Sequence, residues 1–131
     1  MCEPLNILAS VGPGFAVLLP EEQVLFDCAS DAELASLHDP SSALVKLRGF
    51  AEKLTAIAVG SGGSLHLRIE KLSNTNSAPQ ARIDDLNEIR KLGNSAAHGG
   101  AGAYADACAA LAAAHRLAIW LMETRHQRAH L

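Results

Sequence analysis

The sequence predicts an all-α fold, a bundle of four to five helices behind an N-terminal arm. Alanine is abundant in the 131 residues while aromatic residues make up only 4%. This composition favours helices that approach closely through small side chains over a β-sandwich of bulky residues. Apolar residues recur at steps of three and four along most of the chain, which is the helical period. The length suits one packed core, so we expect a single domain over residues 20–131, after an arm of residues 1–19.

The arm is apolar from Leu5 to Leu19 but is interrupted by Gly12-Pro13-Gly14, and no Lys or Arg precedes it. We therefore interpret it as a segment that docks on the helices and not as a signal peptide. It is also too short for a membrane span. Pro20 then opens the first helix, which we expect to end near His38.

The second helix has the clearest start signal in the chain. Asp39-Pro40 places a capping carboxylate before a proline in the first turn, and the apolar period continues to about Val59. The stretch from Gly60 to Ser64 is rich in glycine and is predicted to be a connector. A short third helix is expected from Leu65 to Leu72.

The last two helices are separated by a glycine-rich stretch. Pro79 begins the fourth helix, whose apolar side continues toward His98 until Gly99-Gly100 stops it. The final helix is predicted from about Gly102 to Gln127, because its apolar residues alternate by four and three as in a bundle seam.

Three polar residues on the fourth helix form the main candidate site. Arg90, Asn94 and His98 recur at steps of four, so a helix sets a guanidinium, an amide and an imidazole along one face. In a structural interpretation, Asn94 and His98 tie down the following loop. In a catalytic one, His98 lies at a helix C-terminus, where the dipole favours imidazolium, and acts as a general acid while Arg90 stabilises charge. The residues alone leave both interpretations open.

Two further groups are candidate site residues. Arg48 and Glu52 stand four apart on the second helix, where an exposed pair would contribute only a few tenths of a kcal/mol. Their neighbours are apolar, so the alternative is a structural network at the edge of the core with polar groups of the fourth helix. His115 lies alone on the apolar seam of the last helix and is predicted to be a hydrogen-bonded core or interface histidine.

Composition and the absence of known motifs reduce the number of functions that the sequence supports. A net charge of −3 argues against a surface that is basic throughout, so any contact with RNA or DNA must be local. Cys2, Cys28 and Cys108 show no CxxC spacing, which predicts neither a disulfide framework nor a zinc site and favours the cytoplasm. The sequence has no phosphate-binding glycine loop, dinucleotide fingerprint, HExxH or Gly-x-Ser-x-Gly motif. We expect no cofactor and no metal.

Several segments resemble the helical family called DUF4145, over roughly residues 20–124. They are Asp39-Pro40, Leu44-Val45-Lys46-Leu47-Arg48 with Glu52, Ile89-Arg90, Gly93-Asn94-Ser95-Ala96-Ala97-His98-Gly99 and Leu117-Ala118-Ile119-Trp120-Leu121. Members of that family occur alone and at the N-terminus of type I restriction enzyme R subunits. The family is in turn similar to the HEPN superfamily, whose helical bundles often dimerise and include metal-independent ribonucleases of toxin–antitoxin and antiphage systems.

The resemblance implies a HEPN-like bundle more strongly than it implies activity. HEPN ribonucleases present an arginine, then a polar residue that is often asparagine, then a histidine, with four to six residues between arginine and histidine. Matching Asn94 and His98 to this pattern places Gly93 at the position of the arginine. Arg90 is the nearest arginine, and seven residues separate it from His98.

We therefore expect a cytoplasmic, non-catalytic interaction or regulatory module of a restriction-modification or antiphage defence system. Its expected partners are a second copy of the chain and a protein of such a complex, with RNA or DNA as a further candidate and no membrane. One alternative is a HEPN-like metal-independent endoribonuclease that uses Arg90 and His98. A second alternative is a nucleotide or small-ligand sensor built around His98 and the loop that follows it.

Overall fold

The computed structural model describes residues 20–36, 38–60, 62–97 and 104–129 of the chain. This part is all α, without a strand, as the sequence predicts. The helices in chain order are α1 (Pro20–Ala35), α2 (Pro40–Val59), α3 (Leu65–Asn74), α4 (Gln80–Ala97) and α5 (Tyr104–Ala129). The predicted arm, residues 1–19, lies outside the described residues.

Local signals explain where the helices begin and end. The Asp39 carboxylate accepts a hydrogen bond from the backbone N–H of Ser42 at 3.2 Å and caps α2. The Ser64 hydroxyl accepts one from the N–H of Leu67 at 3.3 Å and caps α3 in the same way. Gly60 ends α2 with φ of +92°, a conformation that glycine adopts without strain. The predicted bounds of the second helix are confirmed.

The other helix bounds differ from the predicted ones by a few residues. α1 ends at Ala35 and not near His38, because the chain has to leave the helical conformation before Asp39, which caps α2 with non-helical backbone angles. α3 continues to Asn74, two residues beyond the predicted end, and a residue with φ of +52°, Asn76, follows it. Asparagine tolerates this left-handed conformation better than most residues, so the turn into α4 can form there.

One apolar core lies between α1, α2, α4 and α5, and α3 closes it against α2 and α4. The largest apolar side chains that are fully buried are Leu44, Leu47, Phe50, Leu54, Leu72, Leu86, Ile89, Leu111 and Leu117. Each such side chain stabilises the fold by about 1.5–3 kcal/mol relative to its exposed state. Four of the nine belong to α2, which contacts each of the other helices and is therefore the centre of the bundle.

One position of α1 differs from what its apolar pattern predicts. Val24, Leu25, Cys28, Ala32 and Ala35 are predicted to form the apolar side of this helix, but 47% of Val24 is exposed. Leu25, Ala29 and Ala32 are the residues of α1 that are buried. Successive helical residues differ by about 100° in direction, so Val24 and Leu25 cannot both face the core fully. The bulkier leucine takes the inner position.

α5 packs closely because its buried side is built from small residues. Alanines at positions 107, 110, 113, 114 and 118 are buried there, with leucines at 111, 117 and 121. The segment Tyr104–Thr124 is also long and apolar enough to cross a membrane, with a mean hydropathy of 1.3. Half of that window is buried against the other helices, and the core helix of a bundle meets the same criterion. The expectation of no membrane contact stays a prediction.

α2 and α4 are in close contact at Gly93, which is buried. A Cβ atom built on Gly93 would lie 2.8 Å from the Cβ of Arg48 and 3.1 Å from the backbone oxygen of Leu44. The first distance is too short for any real Cβ, so only glycine fits without a shift of one helix. The contact joins the first half of α2 to the last turns of α4.

We expect Gly93→Ala to lower the free energy of unfolding by about 1–2 kcal/mol, since overpacking outweighs the better helix propensity of alanine. Gly49→Ala is the matched control. Gly49 also lies inside a helix, but nothing comes within 4 Å of its added Cβ. That variant should gain up to about 1 kcal/mol. Urea denaturation of both variants measures the difference. An equal gain in both would show that the contact at Gly93 is not tight.

Candidate functional site

α4 carries two of the three residues predicted as a site. Arg90 and Asn94 lie one turn apart in its last two turns, and both are half-buried. His98 follows the last residue of the helix and lies outside the described residues. The structure therefore brings Arg90 and Asn94 onto one face and leaves the role of His98 a prediction.

Arg90 is bound to its own helix. Its Nε and Nη2 atoms both donate to the side-chain oxygen of Asn87, each at 3.3 Å. This distance is at the long end for hydrogen bonds from nitrogen to oxygen, so the contact is a weak one. Asn87, which the sequence analysis did not single out, thus orients the guanidinium of Arg90.

Arg48 and Glu52 form an ion pair on α2. Nε of Arg48 lies 3.7 Å from Oε1 of Glu52, and 37% and 46% of the two side chains are exposed. A pair this long and this exposed contributes little to stability. The predicted contact of Arg48 with α4 is made by its aliphatic stem, since its Cβ and Cδ atoms lie over Gly93. The partner there is a glycine and not a polar group.

Arg90 and Asn94 belong to one flank of α4. α5 covers another flank, where Asp85 reaches Arg116. On a helix with 3.6 residues per turn, Arg90 and Asn94 point about 140–180° away from Asp85. Arg48 contacts α4 at Gly93, which points about 60° away from Arg90 around the helix. We call Arg48, Glu52, Arg90 and Asn94 the α2–α4 face.

α3 adds a positive charge beside this face. Nη1 of Arg68 donates to the backbone oxygen of Glu52 at 2.9 Å. The contact places a second guanidinium, after that of Arg48, on residue 52, at its backbone oxygen and not at its carboxylate. Sequence reasoning missed Arg68, because its contact with residue 52 is not a local pattern.

Asp85 is the centre of the strongest polar contact between α4 and α5. Only 7% of this residue is exposed. Arg116 donates to it with Nη2 at 2.8 Å and with Nε at 3.2 Å, while Nε of Arg82 lies 3.0 Å from its other oxygen. A buried carboxylate without cations would be costly. Arg82 neutralises Asp85 from within α4, and Arg116 holds α4 against α5.

Arg116 is held in its protonated form by this arrangement. Its hydrogen bond to Asp85 raises the pKa of the guanidinium above the ordinary value; partial burial lowers it, and the charges of Asp85 and Glu88 raise it further. Arg116 therefore stays charged throughout the neutral range. In the sequence, the Asp85–Arg116 contact was indicated only by a charged residue on the apolar last helix and by Arg82, three residues before Asp85. Both patterns also occur on solvated surfaces, so they do not identify a buried ion pair.

The hydrogen bond predicted for His115 is not seen at its Nε2 atom. This nitrogen is buried and has no hydrogen-bond partner in the described part of the chain.

The cysteines differ from the prediction. Cys28 is a free thiol, whereas Cys108 is disulfide-bonded, contrary to the expectation for the cysteines. Cytoplasmic location stays a prediction. Among the described residues no group of three or more His, Cys, Asp or Glu side chains could hold a metal.

We expect Asp85→Asn to lower the free energy of unfolding by about 1–2 kcal/mol, because it removes charge-assisted hydrogen bonds to a guanidinium that is itself half-exposed. Glu52→Gln makes the same chemical change in the exposed pair and should cost less than about 0.5 kcal/mol. Thermal or urea unfolding compares the two variants. Equal costs would contradict the assignment of Asp85 as the main link between α4 and α5.

Comparison with known proteins agrees with this architecture. No curated protein and no solved structure matches the chain. The model of one family, described as a domain of unknown function (DUF4145), matches residues 30–127. That range includes α2 to α4, most of α5 and the last six residues of α1, and thus both sides of the α2–α4 face. The chain belongs to the DUF4145 family.

Proposed function

We propose that the chain is a non-catalytic helical interaction and regulatory module that docks a partner through the α2–α4 face. The observation that carries this proposal is the burial of Gly93 beneath Arg48. Gly93 occupies the position at which the HEPN ribonuclease pattern has its arginine, and any side chain there would separate α2 from α4. In this chain, Gly93 allows α2 to pack against α4.

The state of Arg90 supports the same proposal. A catalytic arginine stabilises charge on the reacting group, for which its donors must be directed at that group. Two donors of Arg90 are instead directed at Asn87, one turn back along α4. A guanidinium held against its own helix suits recognition of a bound surface.

The biological setting is proposed from the family alone. DUF4145 domains are expected at the N-terminus of type I restriction enzyme R subunits, so we propose a restriction-modification or antiphage defence system as the setting. A protein of such a system is the expected partner, and a homodimer is the expected assembly.

A metal-independent endoribonuclease is the second candidate, and one observation favours it. The side chain of Arg48 lies over Gly93, the position at which the HEPN pattern has its arginine. A guanidinium supplied there by α2 would replace the missing arginine, with His98 as general acid or base on the 2′-hydroxyl or the leaving oxygen.

An RNA cleavage assay separates the two candidates. We expect the purified protein to leave labelled single-stranded RNA and tRNA intact in EDTA, at the same level as His98→Ala prepared identically. The paired preparations account for contaminating ribonuclease. Cleavage by the wild type that is absent from His98→Ala would overturn the non-catalytic proposal and establish the nuclease.

A further inference from the structure

We propose that the apolar arm, residues 1–19, docks along one side of α5 and is tethered there by a disulfide bond between Cys2 and Cys108. We call this side the α5 stripe, and its members are Cys108, Ala112, His115, Ile119 and Met122. The stripe is separate from the α2–α4 face, so the proposal does not depend on the proposed function.

The α5 stripe is a mostly apolar side of the helix that lies away from the core. Its members recur at steps of four and three, so they form one continuous line along α5. They point about 100–180° away from Leu117 and Leu121, which are buried in the core. Apart from the buried Cys108, each member is half-buried. An apolar line of this kind becomes more stable when a further segment covers it.

Cys108 fixes one end of the arm on the stripe. Its sulfur is disulfide-bonded while Cys28 is free, and the sequence has three cysteines. Cys2 is therefore the remaining partner within the chain. Only 7% of Cys108 is exposed, whereas the next residue, Ala109, is exposed. A bond to the same cysteine of a second copy would need this buried sulfur to lie at the surface.

The disulfide needs an oxidant, which is by class a low-molecular-weight disulfide. The thiols of Cys2 and Cys108 lose two protons and two electrons, their sulfurs join, and the reagent is reduced to two thiols. A disulfide requires its two Cα atoms to lie within about 7 Å of each other. The arm therefore has to lie against α5 before the bond forms.

The composition of the arm suits the stripe. Ten of the fifteen residues from Leu5 to Leu19 are apolar, and residues 4–20 include no charged side chain. Docking therefore removes apolar surface from water without burying a charge. The backbone of the arm also offers donors and acceptors to Nε2 of His115, which is buried and has no hydrogen-bond partner in the described part of the chain.

The length of the arm is sufficient for this path. Eighteen residue steps separate Cys2 from Pro20, which gives an extended reach of about 60 Å. Cys108 and Met122 are only about 21 Å apart along α5. The arm can therefore follow the whole stripe and still reach the start of α1, a helix that itself contacts α5.

The first test maps the disulfide in the full chain. The protein is oxidised with glutathione disulfide, free thiols are alkylated, and the unreduced chain is cleaved after glutamate. Glu3 lies between Cys2 and Cys28, so each of the three cysteines falls in a separate peptide. Mass spectrometry should show the peptides of Cys2 and Cys108 linked and Cys28 alkylated. A peptide of Cys108 that is alkylated, or is linked to Cys28 or to its own copy, would overturn the proposal.

The second test measures docking without the tether, in a Cys2→Ser background. Limited proteolysis with thermolysin, which cleaves before apolar residues, follows cleavage within the arm. Ile119→Glu places a charge on the stripe and should raise the cleavage rate at least about fivefold. Ala109→Glu adds the same charge at an exposed position of α5 and should change the rate less than about twofold. Equal rates in the background and in Ile119→Glu would overturn docking on the stripe.

A milder variant keeps this test decisive if the glutamate at position 119 unfolds the bundle. Ile119→Ala removes apolar contact without adding a charge and should raise the cleavage rate about twofold to threefold. Circular dichroism should show the helix content of the background protein. Unfolding of Ile119→Glu together with an unchanged cleavage rate in Ile119→Ala would overturn the proposal.

The concentration dependence of the cleavage rate separates the arm from a second copy as the occupant of the stripe. An arm that docks on its own chain is protected to the same extent at every protein concentration. Protection that is found only at concentrations at which the chain dimerises would assign the stripe to a second copy and overturn the proposal. The α2–α4 face takes no part in these measurements, so their failure leaves the proposed function untouched.

Discussion

The close approach of α2 and α4 is the constraint on which the rest of the structure depends. α2 is the central helix, and its contact with α4 is so short at Gly93 that no Cβ is accommodated there. The same contact fixes the stem of Arg48, and through it the placement of the charged groups at the surface. Gly93 therefore determines both the packing of α2 on α4 and the position of the Arg48 side chain. This connects the stability of the bundle with the proposed function.

The two flanks of α4 use arginine in different ways. On the flank toward α5, Arg82 and Arg116 neutralise the buried Asp85, and the three groups hold two helices together. Away from that contact, Arg48 and Arg90 have partners only at long distances within the described part of the chain. The first arrangement uses the available donors within the fold. The second leaves donors for a ligand, which is why we place the docking surface there.

The sequence predicted the helices well because their signals are local. The Asp39 cap, the proline after it and the apolar period placed α2 correctly, and a glycine marked its end. The Asp85–Arg116 pair was missed because its members are 31 residues apart and neither differs locally from a surface charge. Arg90 and Asn94 lie on one face of α4, as their spacing implies, and their role as a site stays a prediction. The contact of Arg48 with α4 is made over a glycine, which no local pattern could indicate. His98 lies outside the described residues, so its function stays a prediction.

The position of the Asp85 cluster has a consequence for the architecture of the α4–α5 pair. Asp85 lies twelve residues before the end of α4, and Arg116 lies twelve residues after the start of α5. The ion pair is therefore about 18 Å along each helix from their connection. A helical hairpin whose register is set this far from its connection does not rely on the length of that connection. The segment 98–103 can change in length between related chains while α4 and α5 keep the same alignment.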